Sequence, residues 1–175
     1  TTSPVINTSA LLTVVNEGVT ALGSVSANET VIWSVSGNGI SISSSGAVAL
    51  DTPAEYASSS SHSYAVTATD SSGNSSTTSS VTVEVNDNTA PIITLLGDSA
   101  VSVERGYTYS DAGATALDNK EGDMTSKIVT VNPVDTSIVG SYTVTYNLAD
   151  SAGNIANEVS RTVEVTPDVT LPVIT

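Results

Sequence analysis

Apolar and polar residues alternate with a period of two along most of this chain. In the first half, the runs VIWSV, YAVTA and VTVEV place Trp33, Val66 and Val83 on apolar faces. In the second half, YTVTYNL and TVEV do the same with Tyr146 and Val163. Strict alternation is typical of strands with one buried face, and no run supports a helix of about ten residues or more. The pattern therefore predicts an all-β fold of many short strands.

Several short motifs of the chain occur twice, about 80 residues apart, as in a tandem repeat. DSSGN at Asp70 returns as DSAGN at Asp150, and DNTAPIIT at Asp87 returns as DVTLPVIT at Asp168. The chain also opens with a partial third copy, TSPVINT. A repeat of this length matches a small β-sandwich domain. We predict two tandem antiparallel β-sandwiches, at residues 1–87 and 88–167, with residues 168–175 as the start of the next repeat or a linker.

Composition narrows the class of protein and the partners it can bind. The chain has no cysteine, so disulfides cannot stabilise it, and it carries 4 Lys and Arg against 18 Asp and Glu, for a net charge of −14. This charge argues against nucleic acid and anionic membranes as partners. No apolar run reaches the roughly 18 residues of a membrane span, so membrane insertion is not expected.

Oxygen-bearing side chains gather at positions that a sandwich is expected to bring to one end. ALDNKEGDMT contains Asp118 and Asp123, the DSAGN turn begins at Asp150, and Asp87 with Asn88 leads into the second repeat. Carboxylates about 4 Å apart repel by roughly 4 kcal/mol at an effective dielectric constant of 20. They therefore either extend into water or hold a cation, and calcium accepts six to eight oxygen ligands. A solvated loop and a turn-forming aspartate remain the alternatives.

Spacing from the repeated proline selects two further acids. Glu17 lies 13 residues after Pro4, and Glu104 lies 13 residues after Pro91. Each acid closes an apolar strand, so we expect Glu17 near Asp87 and Glu104 near Asp168. The acidic loop itself is expected to follow a strand around Tyr107 and Tyr109 and to precede a strand at residues 128–131.

These motifs resemble two known families. Residues 4–91 resemble a bacterial cadherin-like domain, through NEG, GAVALDTPAEY, YAVTATDSSGN and VTVEVND followed by TAP. Residues 87–167 resemble the bacterial immunoglobulin-like domain named after a pesticidal crystal protein, through APIITLLGD, YSDAGATALDNKEGDMT, VDTSIVGSYTVTYNLADSAGN and RTVEV. Such domains occur in tandem in large secreted or surface-anchored bacterial proteins.

The cadherin resemblance implies calcium between successive domains. In the family pattern an early-strand glutamate, a linker motif, an acidic loop and the aspartate before the last hairpin supply the ligands. Ala57 stands at one family glutamate, which leaves Glu55 as a shifted candidate. The implied ligands are Glu17, Glu55, Asp87, Asn88, Asp118, Asp123 and Asp150, with a possible second, incomplete site at Glu104 and Asp168.

The resulting expectation is a calcium-stiffened spacer or adhesion module of a large exported bacterial surface protein, without enzymatic activity. Its partners would be neighbouring repeats of the same chain and another cell-surface protein or polysaccharide, at an extracellular or cell-surface location. The alternative is a carbohydrate-binding accessory module of a secreted polysaccharide-degrading enzyme. That alternative requires solvent-facing aromatic rings, for which Tyr107 and Tyr109 are the best candidates.

Overall fold

The computed structural model describes residues 2–169, which fold into two compact units. Unit 1 comprises the chain up to Asn88, and unit 2 begins at Thr89. The predicted start of a further repeat or linker at residues 168–175 lies almost entirely outside the described residues.

Unit 1 is a sandwich of two sheets. One sheet has the strand order β1-β3-β6-β5, and the other has the order β2-β9-β7-β4, with β8 also paired to β7. The strands are β1 (Ile6–Leu11), β2 (Val14–Asn16), β3 (Ala21–Ala27), β4 (Ile32–Ser36), β5 (Ile40–Ile42), β6 (Ala47–Leu50), β7 (Ser61–Thr69), β8 (Ser75–Thr77) and β9 (Val81–Asn86).

The alternation seen in the sequence builds the core of unit 1. Leu22 and Val48 point inward from the first sheet and meet Val66 and Val83 from the second, and all four are fully buried. Each such side chain contributes about 1.5–3 kcal/mol of burial free energy. Trp33 packs against the same cluster while remaining partly exposed.

Unit 2 is a second sandwich, with one sheet ordered β10-β12-β13 and the other β11-β16-β15-β14. Ile93 and Ala116 of the smaller sheet face Val144 and Val163 of the larger one. The elements are β10 (Ile92–Leu95), β11 (Ala100–Glu104), β12 (Ala114–Asp118), β13 (Gly122–Asp123), a 3-10 helix (Thr125–Lys127), β14 (Val129–Val131), β15 (Gly140–Asn147) and β16 (Val159–Thr166).

The predicted all-β class is confirmed, and most strand pairs are antiparallel. Each unit, however, contains one parallel pair: β2 runs parallel to β9, and β11 runs parallel to β16. In unit 1 the chain leaves β1 at Leu11 and resumes as β2 in the opposite sheet. This switch places an early strand beside the last strand with both running in the same direction.

The predicted strand around Tyr107 and Tyr109 is wrong. Strand β11 ends at Glu104, and the chain then turns through Gly106, whose φ of +89° favours glycine. The strand that precedes the acidic loop is instead β12, which runs from Ala114 to Asp118.

A buried polar network of hydrogen bonds and an ion pair connects separate segments of unit 2, which has no cysteine to form disulfides. Arg161 is 1% exposed and donates hydrogen bonds to the Asp111 carboxylate and to the backbone carbonyls of Leu96 and Asp98. The Tyr146 hydroxyl also donates to Asp111, at 2.6 and 2.7 Å from its two oxygens. The network joins β15 and β16 to two segments that carry no strand of their own.

The same network shifts the pKa values of its members. Burial, and then the hydrogen bond to Asp111, raises the pKa of Tyr146 to about 12. Burial alone would raise the pKa of Asp111, but hydrogen bonds from Tyr146 and Tyr109 and the charge of Arg161 lower it below its usual value. Asp111 is therefore a carboxylate at neutral pH, paired with a buried guanidinium.

Candidate metal centre

Asp118 is the most buried acid of the predicted metal ligands. It ends β12 and is 4% exposed. Its Oδ1 accepts the backbone N–H groups of Lys120 and Glu121, both at 2.8 Å, which closes the turn to β13. Its Oδ2 is buried and accepts no hydrogen bond from any described residue. Leaving a buried acceptor unpaired costs about 1–3 kcal/mol, and more for a charged group. A cation or a hydrogen-bond donor bound to this oxygen would offset that cost.

Glu121 ties the Asp118 turn to the DSAGN turn. One of its carboxylate oxygens accepts the Ser151 N–H at 2.6 Å, and the other accepts Lys127 Nζ at 2.5 Å. We call Asp118, Glu121, Asp123 and Asp150 the loop cluster. The contact with Ser151 brings the two acid-bearing turns together within unit 2, as the sequence predicted.

Asp150 serves its own turn through both carboxylate oxygens. These accept the backbone N–H and the side-chain Nδ2 of Asn154, each at 2.7 Å. Asp70 in unit 1 makes the corresponding bonds to Asn74, at 2.9 and 2.7 Å. The repeated aspartate is thus a turn former in both copies, and Asp150 differs from Asp70 in the acids that stand beside it.

Asp123 lies on β13 and is exposed. Its Oδ1 accepts the Thr125 N–H at 2.9 Å, which orders the chain where the 3-10 helix begins. Hydrogen bonds from Thr125 lower the pKa of Asp123. It therefore stays charged at neutral pH, with one oxygen oriented by the fold.

In unit 1 the predicted ligands lie on three segments that meet where the chain leaves the sandwich. We call Glu17, Glu55, Asp87 and Asn88 the linker cluster. The Glu17 N–H donates to Asn88 Oδ1 at 2.8 Å and to the Asn86 carbonyl at 3.3 Å, which places Glu17 beside the segment holding Asp87.

The two glutamates of the linker cluster are joined through Tyr56. Glu17 Oε1 accepts the Tyr56 N–H at 2.9 Å. Glu55 precedes Tyr56 in the chain and is exposed, and its Oε2 accepts the Ser58 hydroxyl at 3.1 Å. The linker cluster thus offers carboxylate and amide oxygens only.

The predicted equivalence of Glu104 and Glu17 is wrong. The parallel ladders pair Asn16 with Asn86 in unit 1 and Glu104 with Thr166 in unit 2. Glu104 therefore occupies the position of Asn16, and Arg105 occupies the position of Glu17. A shift of one residue along a strand sends a side chain to the opposite face, so spacing from the proline selected the wrong residue. Asp168, its predicted companion, is exposed.

Among residues 2–169, no three His, Cys, Asp or Glu side chains are grouped closely enough to hold a metal ion. The carboxylates of the loop cluster accept hydrogen bonds from backbone N–H groups of the turns and from the side chains of Lys127 and Asn154. A cation would compete with some of these contacts. The calcium prediction remains a prediction, and Asp118 Oδ2 is the feature of unit 2 that fits it.

The solvent-facing aromatic rings required by a carbohydrate-binding module are few in the part of the chain that the structure describes. Tyr107 is 54% exposed in the turn after β11. The Tyr109 hydroxyl is engaged with Asp111 at 2.9 Å, and Trp33 packs against the core. One exposed ring does not make a platform for a sugar chain.

Sequence reasoning missed the Arg161 network. The signal was present in SRTVEV, where Arg161 shares its alternating face with Val163 and Val165. A charged residue at an inward position indicates a buried partner, because Arg is almost never fully buried unless it is paired. The partner, Asp111, lies 50 residues earlier in the chain.

A family model matches the greater part of unit 2. Residues 93–165 match the family model of the bacterial surface protein, Ig-like domain. No curated protein matches the chain. No helix among residues 2–169 is long and apolar enough to span a membrane.

Solved structures of cadherin extracellular domains share the fold. Human protocadherin-24 EC1-2 is 12% identical, with a TM-score of 0.58, over 95% of this chain and 100% of that one. Drosophila N-cadherin EC1-4 is 17% identical, with a TM-score of 0.59, over 95% of this chain and 50% of that one. The chain thus spans about half of the N-cadherin fragment and has the cadherin-like, immunoglobulin-like fold.

The Glu121 contacts predict a pH dependence of the stability of unit 2. Hydrogen bonds from Lys127 and Ser151 lower the pKa of Glu121 from 4.5 to about 2. A carboxyl whose pKa is lower in the folded state stabilises that state above its unfolded pKa and loses this effect as the pH falls through the folded pKa. The stabilisation should be complete above about pH 5 and should disappear between pH 4.5 and 2.

The denaturation midpoint of unit 2 is measured as a function of pH for the wild type and for Glu121→Gln. Hydrogen exchange is used to monitor the unfolding of unit 2. Other acids titrate in both proteins and cancel in the difference. The wild type should be more stable at pH 5 and indistinguishable from the variant at pH 2. An equal difference at both pH values would contradict the assignment.

Proposed function

We propose that this chain is a pair of spacer or adhesion modules from a large exported bacterial surface protein, and that calcium stiffens the pair. The match to a bacterial surface Ig-like domain and the cadherin-like fold support the general class of module. The calcium component rests on the side chains of the loop cluster and the linker cluster.

The observation that carries the calcium proposal is the buried, unpaired Oδ2 of Asp118. Calcium is a hard cation that binds carboxylate and carbonyl oxygens at about 2.3–2.6 Å and accepts irregular geometry. The loop cluster supplies further carboxylates, and turn hydrogen bonds already hold Asp123 and Asp150 in place. In a chain of net charge −14, a divalent cation at this position would also relieve repulsion between like charges.

Unit 1 offers a second set of oxygen ligands in Glu17, Glu55, Asp87 and Asn88. Relative motion is the default for two domains that share a short connection. We propose that calcium bound by these residues together with the loop cluster restricts that motion. Extracellular calcium modules bind at about 10⁻⁴–10⁻³ M, so the stiffness of the pair would follow the calcium concentration outside the cell.

The remaining parts of the proposal follow from this mechanical role. The modules would have no catalytic activity and would contact neighbouring repeats of the same chain at an extracellular or cell-surface location. The external partner would be a cell-surface protein or a polysaccharide. A carbohydrate-binding accessory role has the exposed ring of Tyr107 as its single support.

Small-angle scattering with and without calcium tests the stiffening. In chelator the wild type should show a broad distribution of end-to-end distances, because relative motion is the default for two domains joined by a short connection. Millimolar calcium should narrow this distribution to one form. Asp118→Asn combined with Asp123→Asn should abolish the narrowing, since these changes remove charge while keeping similar side-chain shapes.

The matched control is Asp135→Asn, which removes an exposed acid outside both clusters. Calcium should narrow the distribution of end-to-end distances of this variant as it does for the wild type. Scattering curves of the wild type that superimpose with and without calcium would rule out the stiffening.

A further inference from the structure

The turn that follows the parallel strand has the same backbone in both units. We call this the edge turn, residues 16–19 in unit 1 and 104–107 in unit 2. Its second residue donates an N–H to the last strand: Glu17 to the Asn86 carbonyl at 3.3 Å, and Arg105 to the Thr166 carbonyl at 2.9 Å. Its third residue is a glycine of positive φ, +82° in one unit and +89° in the other.

The remaining hydrogen bonds of the edge turn also correspond. Gly18 donates to the Ala54 carbonyl and Gly106 to the Thr136 carbonyl, both at 2.8 Å. The fourth residue donates to the carbonyl of the first residue in each unit, at 3.3 and 3.1 Å. The two edge turns therefore correspond residue by residue, and their charges differ at two positions: Asn16 against Glu104 at the first, and Glu17 against Arg105 at the second.

The side chain at the second position also determines how a backbone N–H group in the neighbouring loop is paired. In unit 1 the Glu17 carboxylate accepts the N–H of Tyr56, two residues after Ala54. In unit 2 the residue two places after Thr136 is Ile138, and its N–H donates to the Asp135 carbonyl at 3.3 Å. Unit 2 thus satisfies this amide from its own backbone, and the second position of its edge turn can carry a cationic side chain.

We infer that the second residue of the edge turn determines whether that end of a unit takes a cation: Glu17 admits calcium in unit 1, and Arg105 excludes it from unit 2. This inference rests on the proposed calcium function. A guanidinium stays charged at every physiological pH and has no acceptor atom, so it can neither ligate calcium nor lose its repulsion. Glu104 and Asp168 would then form no second calcium site.

Further residues of unit 2 fit the same assignment. Glu55 follows Ala54 directly in unit 1, whereas Ser137 follows Thr136 directly in unit 2. Asp135, the acid nearest to it in sequence, uses its Oδ1 to accept the N–H and the hydroxyl of Ser137, at 2.9 and 2.7 Å. Unit 2 therefore has no glutamate at the second position of its edge turn or directly after Thr136.

Calcium titration of the whole chain by calorimetry tests the inference with three variants. Glu17→Gln removes a ligand charge and should weaken calcium binding by about tenfold, because calcium affinity follows the count of ligand charges. Glu17→Arg places the arginine of unit 2 at the second position of the edge turn and should weaken binding by about a further tenfold through repulsion. Glu104→Gln combined with Asp168→Asn should leave the affinity and the number of bound ions unchanged.

Three results would overturn the inference: a lower calcium count in the Glu104→Gln, Asp168→Asn variant, equal affinities of Glu17→Gln and Glu17→Arg, or no effect of either Glu17 change. In each of these cases the wild type still binds calcium, so a calcium-binding spacer role survives without the edge turn as its determinant. A wild type that binds no calcium would instead refute the proposed function itself, so the two failures are distinguishable.

Discussion

Replacing Arg161 by leucine is expected to unfold unit 2 at a much lower temperature while leaving unit 1 intact. The change leaves the Asp111 carboxylate without its guanidinium and the carbonyls of Leu96 and Asp98 without their donor. Removing one partner of a buried ion pair costs about 3–5 kcal/mol. For a domain of this size, 1 kcal/mol corresponds to about 4–8 °C, so the melting temperature of unit 2 should fall by about 15 °C or more.

Arg105→Leu is the matched control, because Arg105 is the other arginine of the chain and is exposed. Surface substitutions usually change stability by less than about 0.5 kcal/mol. Arg161→Lys should lose most of the stability as well, since an ammonium lacks the planar fork that reaches several acceptors. Hydrogen exchange resolved by peptide assigns the loss to unit 2. Equal melting temperatures for the Arg161 and Arg105 variants would show that the network does not stabilise the fold.

Gly23→Ala is expected to disrupt unit 1 to a similar degree. Gly23 pairs with Leu11 across β1 and β3, at a φ of +107°. A Cβ added there would lie 2.1 Å from the Ala10 carbonyl oxygen, which cannot move without breaking the strand pair. Backbone strain of about 1–3 kcal/mol adds to an overpacking cost of about 1–3 kcal/mol.

Gly39→Ala separates these two costs, because Gly39 also has a positive φ, +68°, but has no heavy atom within 4 Å of an added Cβ. Gly39→Ala should lower the free energy of unfolding by the cost of the backbone conformation alone, about 1–2 kcal/mol. Trp33 is the single tryptophan and lies in unit 1, so its fluorescence follows the unfolding of that unit. Equal midpoints for the two alanine variants would contradict the close approach at Gly23.

The all-β class was predictable because alternation depends only on which face of a strand is buried. The parallel pairing of β2 with β9 was not, since alternation looks the same whichever way the neighbouring strand runs. The switch of the chain between sheets after Leu11 leaves no separate mark in the pattern. Long-range pairing of this kind depends on the packing of the whole unit.

The candidate site was predictable in part for related reasons. The acidic loop and the DSAGN turn could be assigned to one end of unit 2 because consecutive turns of a sandwich alternate between its ends. The burial of Asp118 could not be predicted, since an acid in an acidic run is usually solvated. The position of Glu104 could not be predicted either, because its register depends on Thr166, its partner across the ladder.

Calcium binding by the loop cluster is tested most directly by calorimetric titration of the wild type, Asp118→Asn and Asp70→Asn. Asp70 makes the same turn bonds as Asp150, in a unit where no counterpart of Asp118 is buried nearby among the described residues. The wild type and Asp70→Asn should bind calcium alike, with a dissociation constant of about 10⁻⁴–10⁻³ M. Asp118→Asn should bind at least about tenfold more weakly, since it loses a ligand charge. A wild type that gives no binding heat, or an Asp118→Asn curve that superimposes on that of the wild type, would contradict calcium binding at this cluster.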